Sequence, residues 1–176
     1  NTTIRMLNRH GVEVIVPKKI QCCGSLNHHL GKQDLAHKDF INNINIWYDE
    51  YLRGNLDAIL SNTSGCGTTL KDYEFIFRND KGLKEKAKKI SELTKDISEY
   101  LLENLNLKIQ KKEKKYRIAY HSACSMQHGQ KVHTQPIELL SKTKNDIMEI
   151  PEGHICCGSA GTYNILQSDI AKKLLE

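Results

Sequence analysis

No Cys-x-x-Cys pair occurs in this 176-residue chain, although it holds six cysteines. That absence argues against a structural zinc site, usually built on two such knuckles, and against a thioredoxin-like dithiol. A glycine-rich phosphate loop, a nucleophile elbow and a paired-carboxylate motif are missing too. The apolar runs are far too short to span a bilayer. The start, Asn1-Thr2-Thr3-Ile4-Arg5, is not a basic segment leading into an apolar one, so a secretory signal is not expected. Six cysteines without such a signal point away from a disulfide scaffold and toward a cytoplasmic protein with thiolate work to do. There is no initiator Met, and a predicted helix, Ser168–Glu176, runs to the last residue. A fragment of a longer protein is therefore expected.

What is present is globular in character, with 39% hydrophobic and 27% charged residues. The net charge of +5 concentrates in the run from Lys108 to Arg117. No aromatic stacking pattern or basic helix face accompanies that run. It reads as a solvated linker rather than a nucleic-acid patch, and no nucleic-acid partner is expected.

The organising feature is a repeated decapeptide. Val16-Pro17-Lys18-Lys19-Ile20-Gln21-Cys22-Cys23-Gly24-Ser25 returns as Ile150-Pro151-Glu152-Gly153-His154-Ile155-Cys156-Cys157-Gly158-Ser159, at a constant offset of 134 residues. Two vicinal cysteine pairs in one register imply a duplicated unit. We expect a first unit over residues 1–110, truncated at its N-terminal side, and a second over 111–176, truncated at its C-terminal side.

Periodicity places helices over Asn1–His10, Asp34–Arg53, Thr68–Phe77, Ser91–Asn104, Pro136–Lys142 and Ser168–Glu176. Short β-branched or apolar runs place strands at Val12–Val16, Leu56–Leu60, Arg117–His121 and Asp146–Ile150. In Asp34–Arg53 the stripe Phe40, Ile41, Ile44, Trp47, Tyr48 and Tyr51 is expected to face the core. The alternation predicts an α/β fold: two similar βαβ-type units with mostly parallel sheets, related by internal duplication. Functional groups then gather in loops at the carboxyl ends of strands. Every cysteine follows a predicted strand.

Superposing the units gives a composite of one Cys after the first strand, a vicinal pair after the second and another Cys after the third. The first unit supplies Cys22, Cys23 and, forty-two intervening residues later, Cys66; the second supplies Cys124 and, thirty-one intervening residues later, Cys156 and Cys157. Truncation accounts for the two missing members. Thiolates are soft ligands that favour iron–sulfur clusters, zinc or copper(I). Neighbouring cysteines chelate one ion awkwardly but can hold two irons or bridge them. The glycines beside them (Gly24, Gly65, Gly67, Gly158, Gly161) let backbone N–H groups point at sulfur. Zinc stays open as the competing metal, in a zinc-stabilised interaction module. We expect Cys22, Cys23 and Cys66 to lie together, and Cys124 to approach Cys156 and Cys157. His121, His128 and His154 read as hydrogen-bonding or surface residues, with a ligand or proton-relay role as the alternative. His28, His29, His37 and His133 form no pattern.

Cys22-Cys23-Gly24 and Cys156-Cys157-Gly158 resemble the signature of the cysteine-rich CCG superfamily. Heterodisulfide reductase subunits, lactate-utilisation proteins and iron–sulfur subunits of flavin dehydrogenases share it. Three longer strings are similar to the glycolate oxidase (glycolate dehydrogenase) iron–sulfur branch. They are Ser64-Gly65-Cys66-Gly67-Thr68-Thr69-Leu70-Lys71-Asp72-Tyr73, His121-Ser122-Ala123-Cys124-Ser125-Met126-Gln127-His128 and the stretch from His154 to Tyr163. The resemblance implies ligand roles for Cys22, Cys23, Cys66, Cys124, Cys156 and Cys157, and an iron–sulfur cluster of the 4Fe–4S type. It implies an N-terminal ferredoxin-like domain outside this chain and a partner subunit whose FAD oxidises glycolate to glyoxylate. Electrons would pass to a quinone or other membrane acceptor, with peripheral association at the inner face of the membrane. A heterodisulfide reductase-like or lactate-utilisation catalytic subunit is the alternative within the superfamily.

Overall fold

The computed structural model describes residues 2–54, 56–107, 115–155, 158–159 and 161–175. Its first helix, α1 (Thr2–Arg9), buries Leu7 and ends before Gly11, whose φ of 79° turns the chain back. Val12–Val16 follows without regular secondary structure. Its sequence predicts a strand, yet among the described residues no ladder partner is paired with it. The chain then passes through the first cysteine pair into α2 (Ser25–His29) and the long α3 (Gln33–Leu52).

The face of α3 that carries Ala36, Phe40 and Ile44 is completely buried, as the apolar spacing predicts. Trp47 and Tyr48 pack at the margin of the same cluster, whereas Ile41 turns outward and is 38% exposed. Leu70, Tyr73, Phe77, Ala87, Ile90 and Ile59 complete this core. The Phe40 and Tyr73 rings meet at 4.9 Å between centroids.

The strand expected at Leu56–Leu60 is displaced toward its end, as β1 (Ile59–Ser61). It leads directly into α4 (Ser64–Lys71), so Cys66 lies in the first turn of a helix rather than in a loop. The helix expected over Thr68–Phe77 breaks at Asp72 and resumes as α5 (Tyr73–Ile76). The helix expected over Ser91–Asn104 is three elements. α6 (Lys84–Leu93) ends at Thr94, β2 (Thr94–Asp96) follows, and α7 (Ile97–Asn104) begins afresh. A capping box forces the restart: Asp96 accepts the Ser98 N–H at 2.8 Å, while Glu99 accepts the Asp96 N–H at 2.7 Å. The apolar residues that resemble one helical face belong to two helices joined through a strand. β2 pairs in parallel with β1, Leu60 opposite Lys95.

The second unit repeats the plan. β3 (Arg117–Ala119) pairs in parallel with β4 (Asp146–Met148), with Ile118 opposite Ile147. A π-helical turn (Ser125–Gly129) and α8 (Gln135–Ser141) lie between them. Short α9 (Tyr163–Leu166) and α10 (Ser168–Leu175) follow. Among the described residues the architecture is thus two small parallel sheets with helical crossovers. The expected helices at the two ends and over Pro136–Lys142 are present with shifts of one or two residues. Most of the basic run falls at 108–114, outside the described residues.

The repeat is physical as well as textual. Gly24 adopts φ 75° and lies against the Phe40 ring and the Ala36 carbonyl. Gly158 adopts φ 76° and lies against Leu174 Cβ and the Ala171 carbonyl. Phe40 and Leu174 are separated by the same 134 residues as the two glycines. In both units a left-handed glycine packs against a helix further along the chain, α3 in the first and α10 in the second.

Candidate metal centre

The loop bearing Cys22 and Cys23 is held from below by α3. Asn43, fully buried, accepts the Gln21 N–H through Oδ1 at 3.0 Å and donates from Nδ2 to the Cys22 carbonyl at 2.8 Å. Asn42 donates to the Lys19 carbonyl at 3.0 Å. From the other side the Tyr73 hydroxyl donates to the Cys23 carbonyl at 3.1 Å. Two consecutive peptide groups of the loop are therefore pinned to buried side chains. An unmade bond in such a place costs more than the bond itself contributes.

Pinned this way, Cys23 Sγ lies 2.8 Å from Cys66 Sγ, although 43 residues separate them in sequence. Cys22 is exposed beside them, and Cys23 and Cys66 are half-buried. Burial pushes the Cys23 thiol up to about 12, the neighbouring Cys66 sulfur adds to the rise, and a Ser25 backbone N–H directed at the sulfur opposes it. Ionising Cys23 here places an anion in a poorly solvated spot beside the Cys66 sulfur. A cationic thiophilic centre reverses that balance, because a coordinating thiol gives up its proton. Two converging thiols, Cys23 and Cys66, are donors of the type a soft metal or an iron–sulfur cluster takes, and Cys22 is exposed next to them in sequence.

The α4 segment that carries Cys66 is locked to the segment that carries Cys124. Thr68 donates to the Ser125 carbonyl at 2.9 Å, and the Ser125 hydroxyl donates to Ser64 Oγ at 2.7 Å. Gln130, buried, donates from Nε2 to the Ser64 carbonyl at 2.9 Å and packs on the face of Gly67. Gly129 in turn receives the Thr68 side chain. Cys124 is half-buried at the start of the π-turn. Its expected approach to Cys156 and Cys157 lies outside the described residues, as do those two cysteines themselves. Among the described residues no group of three His, Cys, Asp or Glu side chains is arranged to hold a metal ion.

At the carboxyl ends of β3 and β4 lies an open cavity of about 560 Å³, lined by His121, Ser122, His133 and His154 among others. The Ser122 hydroxyl there is buried without a hydrogen-bond partner. In the first unit, His28 and His37 pack their rings on Phe40 at 5.7 and 5.9 Å. Sequence pattern does not single out Asn43, Gln130 or these two histidines. Asn43 alone carries a signal, as a polar residue three positions from Phe40 on the buried face of α3.

The cysteine-rich (CCG) domain profile matches residues 1–71 and 118–176, the two segments that carry these loops. The chain belongs to the cysteine-rich CCG domain family. Among curated relatives, it is 35% identical to the glycolate oxidase iron-sulfur subunit of Escherichia coli, over 98% of this chain and 42% of that protein. It is 28% identical to a probable glycolate oxidase iron-sulfur subunit of Bacillus subtilis, over 100% of this chain and 39% of that protein. Lactate utilization protein A of Bacillus subtilis is 26% identical over 99% of this chain and 71% of its own length. The chain thus spans about two fifths of the length of the two glycolate oxidase relatives. No solved structure matches it.

Proposed function

We propose that this chain is the cluster-bearing CCG portion of an iron–sulfur electron-transfer subunit of a flavin-dependent glycolate dehydrogenase. One observation carries the reading. Two thiols, one from a loop and one from the first turn of α4, meet at 2.8 Å in a partly buried site, on a chain similar over its whole length to proteins named glycolate oxidase iron-sulfur subunit. Cys22, Cys23 and Cys66 are the ligands in the first unit, and Cys124, Cys156 and Cys157 in the second. A cluster of the 4Fe–4S type would take up and release single electrons there. The chain's own contribution is to hold the sulfurs converged, to direct the Ser25 N–H at one of them, and to limit water around Cys23. Glycolate and FAD belong to a partner subunit, and a quinone or other membrane acceptor receives the electrons. No helix among the described residues is long and apolar enough to cross a membrane, so contact with that acceptor would be peripheral or through another subunit.

The experiment is anaerobic purification of the full-length protein with its partner subunits. Expected are a brown preparation, stoichiometric iron and acid-labile sulfide, and bleaching of the visible absorption on addition of glycolate. A colourless preparation containing only zinc, unchanged by iron and sulfide reconstitution, would overturn the reading in favour of a zinc-stabilised interaction module.

A second reading, a catalytic CCG subunit of the lactate-utilisation or heterodisulfide reductase type, is favoured by the coverage. The match takes in 71% of lactate utilization protein A. Bleaching by lactate but not glycolate, or disulfide reduction without a flavin subunit, would select it.

A further inference from the structure

The first unit contains a crossover helix without its first strand. In the second unit the order is β3, α8, β4, with β3 and β4 paired in parallel. An offset of 134 residues carries β4 onto Val12–Val14 and α8 onto α1. Val12–Val14 lies outside any helix or ladder at the sequence position that matches β4, and α1 precedes it as α8 precedes β4. The same offset carries β3 to positions ahead of Asn1. Where that strand would lie, the structure has a groove of about 350 Å³. Val12 and Val14 line it from the unpaired segment, Ile59 and Leu60 from β1, and Trp47 and Tyr100 from α3 and α7. β1 is bonded to β2 alone, so its second edge is open among the described residues.

We propose that this groove is the seat of a β-strand that precedes Asn1 in the longer protein. It enters parallel to Val12–Val16 and to β1 and joins them with β2 into one four-stranded sheet. Three features select a strand. One side of the groove is the open edge of β1, the other a β-branched segment without a ladder, and strand backbone N–H and C=O groups need partners when buried. Helical residues Ile4, Leu7, Trp47 and Ile97 line the groove, so an inserted strand would carry an apolar run, as in sheets covered by helices. A strand–helix–strand crossover already exists from α1 onward and lacks only its start. The E. coli relative, more than twice the length of this chain, has ample polypeptide to supply the strand. The inference rests on the duplication and not on any metal.

The test is amide hydrogen exchange on the metal-free protein, comparing the 176-residue chain with the longer protein that carries the residues before Asn1. Amides of Val14 and of Ile59–Ser61 that face the groove should exchange on the order of a hundredfold more slowly in the longer protein. Val14→Asp should abolish that protection in the longer protein while leaving exchange at Ile90 and Phe40 slow in both. Equal exchange of the groove amides in the two chains would overturn the proposal. So would protection in the 176-residue chain that grows with its concentration, since that assigns the groove to a second copy. Neither outcome depends on iron, so loss of the electron-transfer reading would leave this result standing.

Discussion

Gly24 and Phe40 touch so closely that a methyl group on the glycine would lie 2.7 Å from ring atom Cδ1 and 3.1 Å from the Ala36 carbonyl. The same glycine holds a left-handed φ of 75°. The third residue of the Cys-Cys-Gly motif is therefore glycine for two independent reasons, one of backbone conformation and one of space. Gly24→Ala should cost about 2–4 kcal/mol, combining left-handed strain with overpacking. Urea unfolding checks the loss, and the metal content of anaerobically purified protein should fall with it.

Asn43 holds the cysteine loop from the buried side, so truncating it strands a backbone N–H and a carbonyl. Asn43→Ala should destabilise by about 2–4 kcal/mol. Tyr73→Phe, which removes only the hydroxyl donated to the Cys23 carbonyl, should cost about 1 kcal/mol. Both variants should raise the rate at which Cys22 and Cys23 react with an alkylating reagent, measured by mass spectrometry under native conditions. Unchanged labelling would mean the loop keeps its shape without these bonds.

Gly67 and Gln130 interlock across the boundary between the units. Gly67→Ala places a methyl group 2.5 Å from Gln130 Nε2. The single substitution should cost about 1–3 kcal/mol, and most of that cost should vanish in a Gln130→Ala background. A double-mutant cycle by chemical denaturation measures the coupling. Additive effects would show that the two residues do not share one packing site.

The two converging sulfurs offer a chemical ruler. Treating metal-free protein with diamide removes two electrons and two protons from a thiol pair, forming one S–S bond while diamide becomes its hydrazine. The Cys23–Cys66 crosslink should form before any Cys22–Cys23 one, since neighbouring cysteines are strained partners. Closing a loop of this length should stabilise the metal-free fold by about 4 kcal/mol. Peptide mapping identifies the pair. Cys66→Ser should abolish both the crosslink and the stabilisation.

Several of these relationships are legible in the order of residues alone. A repeated ten-residue register announces the duplication, and the two left-handed glycines packed at matching positions bear it out. The buried stripe of α3 is legible because a 3.6-residue period survives tertiary packing wherever one helix face is covered throughout. The segment from Ser91 to Asn104 is not. Its apolar positions satisfy a helical period by accident of two helices in succession, and the strand between them is three residues long. Only the Asp96–Glu99 capping box marks the restart. Val12–Val16 reads as a strand for sound reasons of β-branching. A strand, however, is completed by a partner's backbone, and among the described residues that partner is missing.

Residue type and spacing alone marked this protein as a duplicated α/β chain and pointed its cysteines toward soft-ligand chemistry. Those properties are written in local patterns and in the valence of sulfur. Tertiary structure decided which thiols meet. Cys23 lies against Cys66, 43 residues away, because Asn43, Tyr73 and Gly24 together fix one loop against the first turn of another element. Convergence of that kind depends on buried bonds between distant parts of the chain, and no one-dimensional pattern carries those.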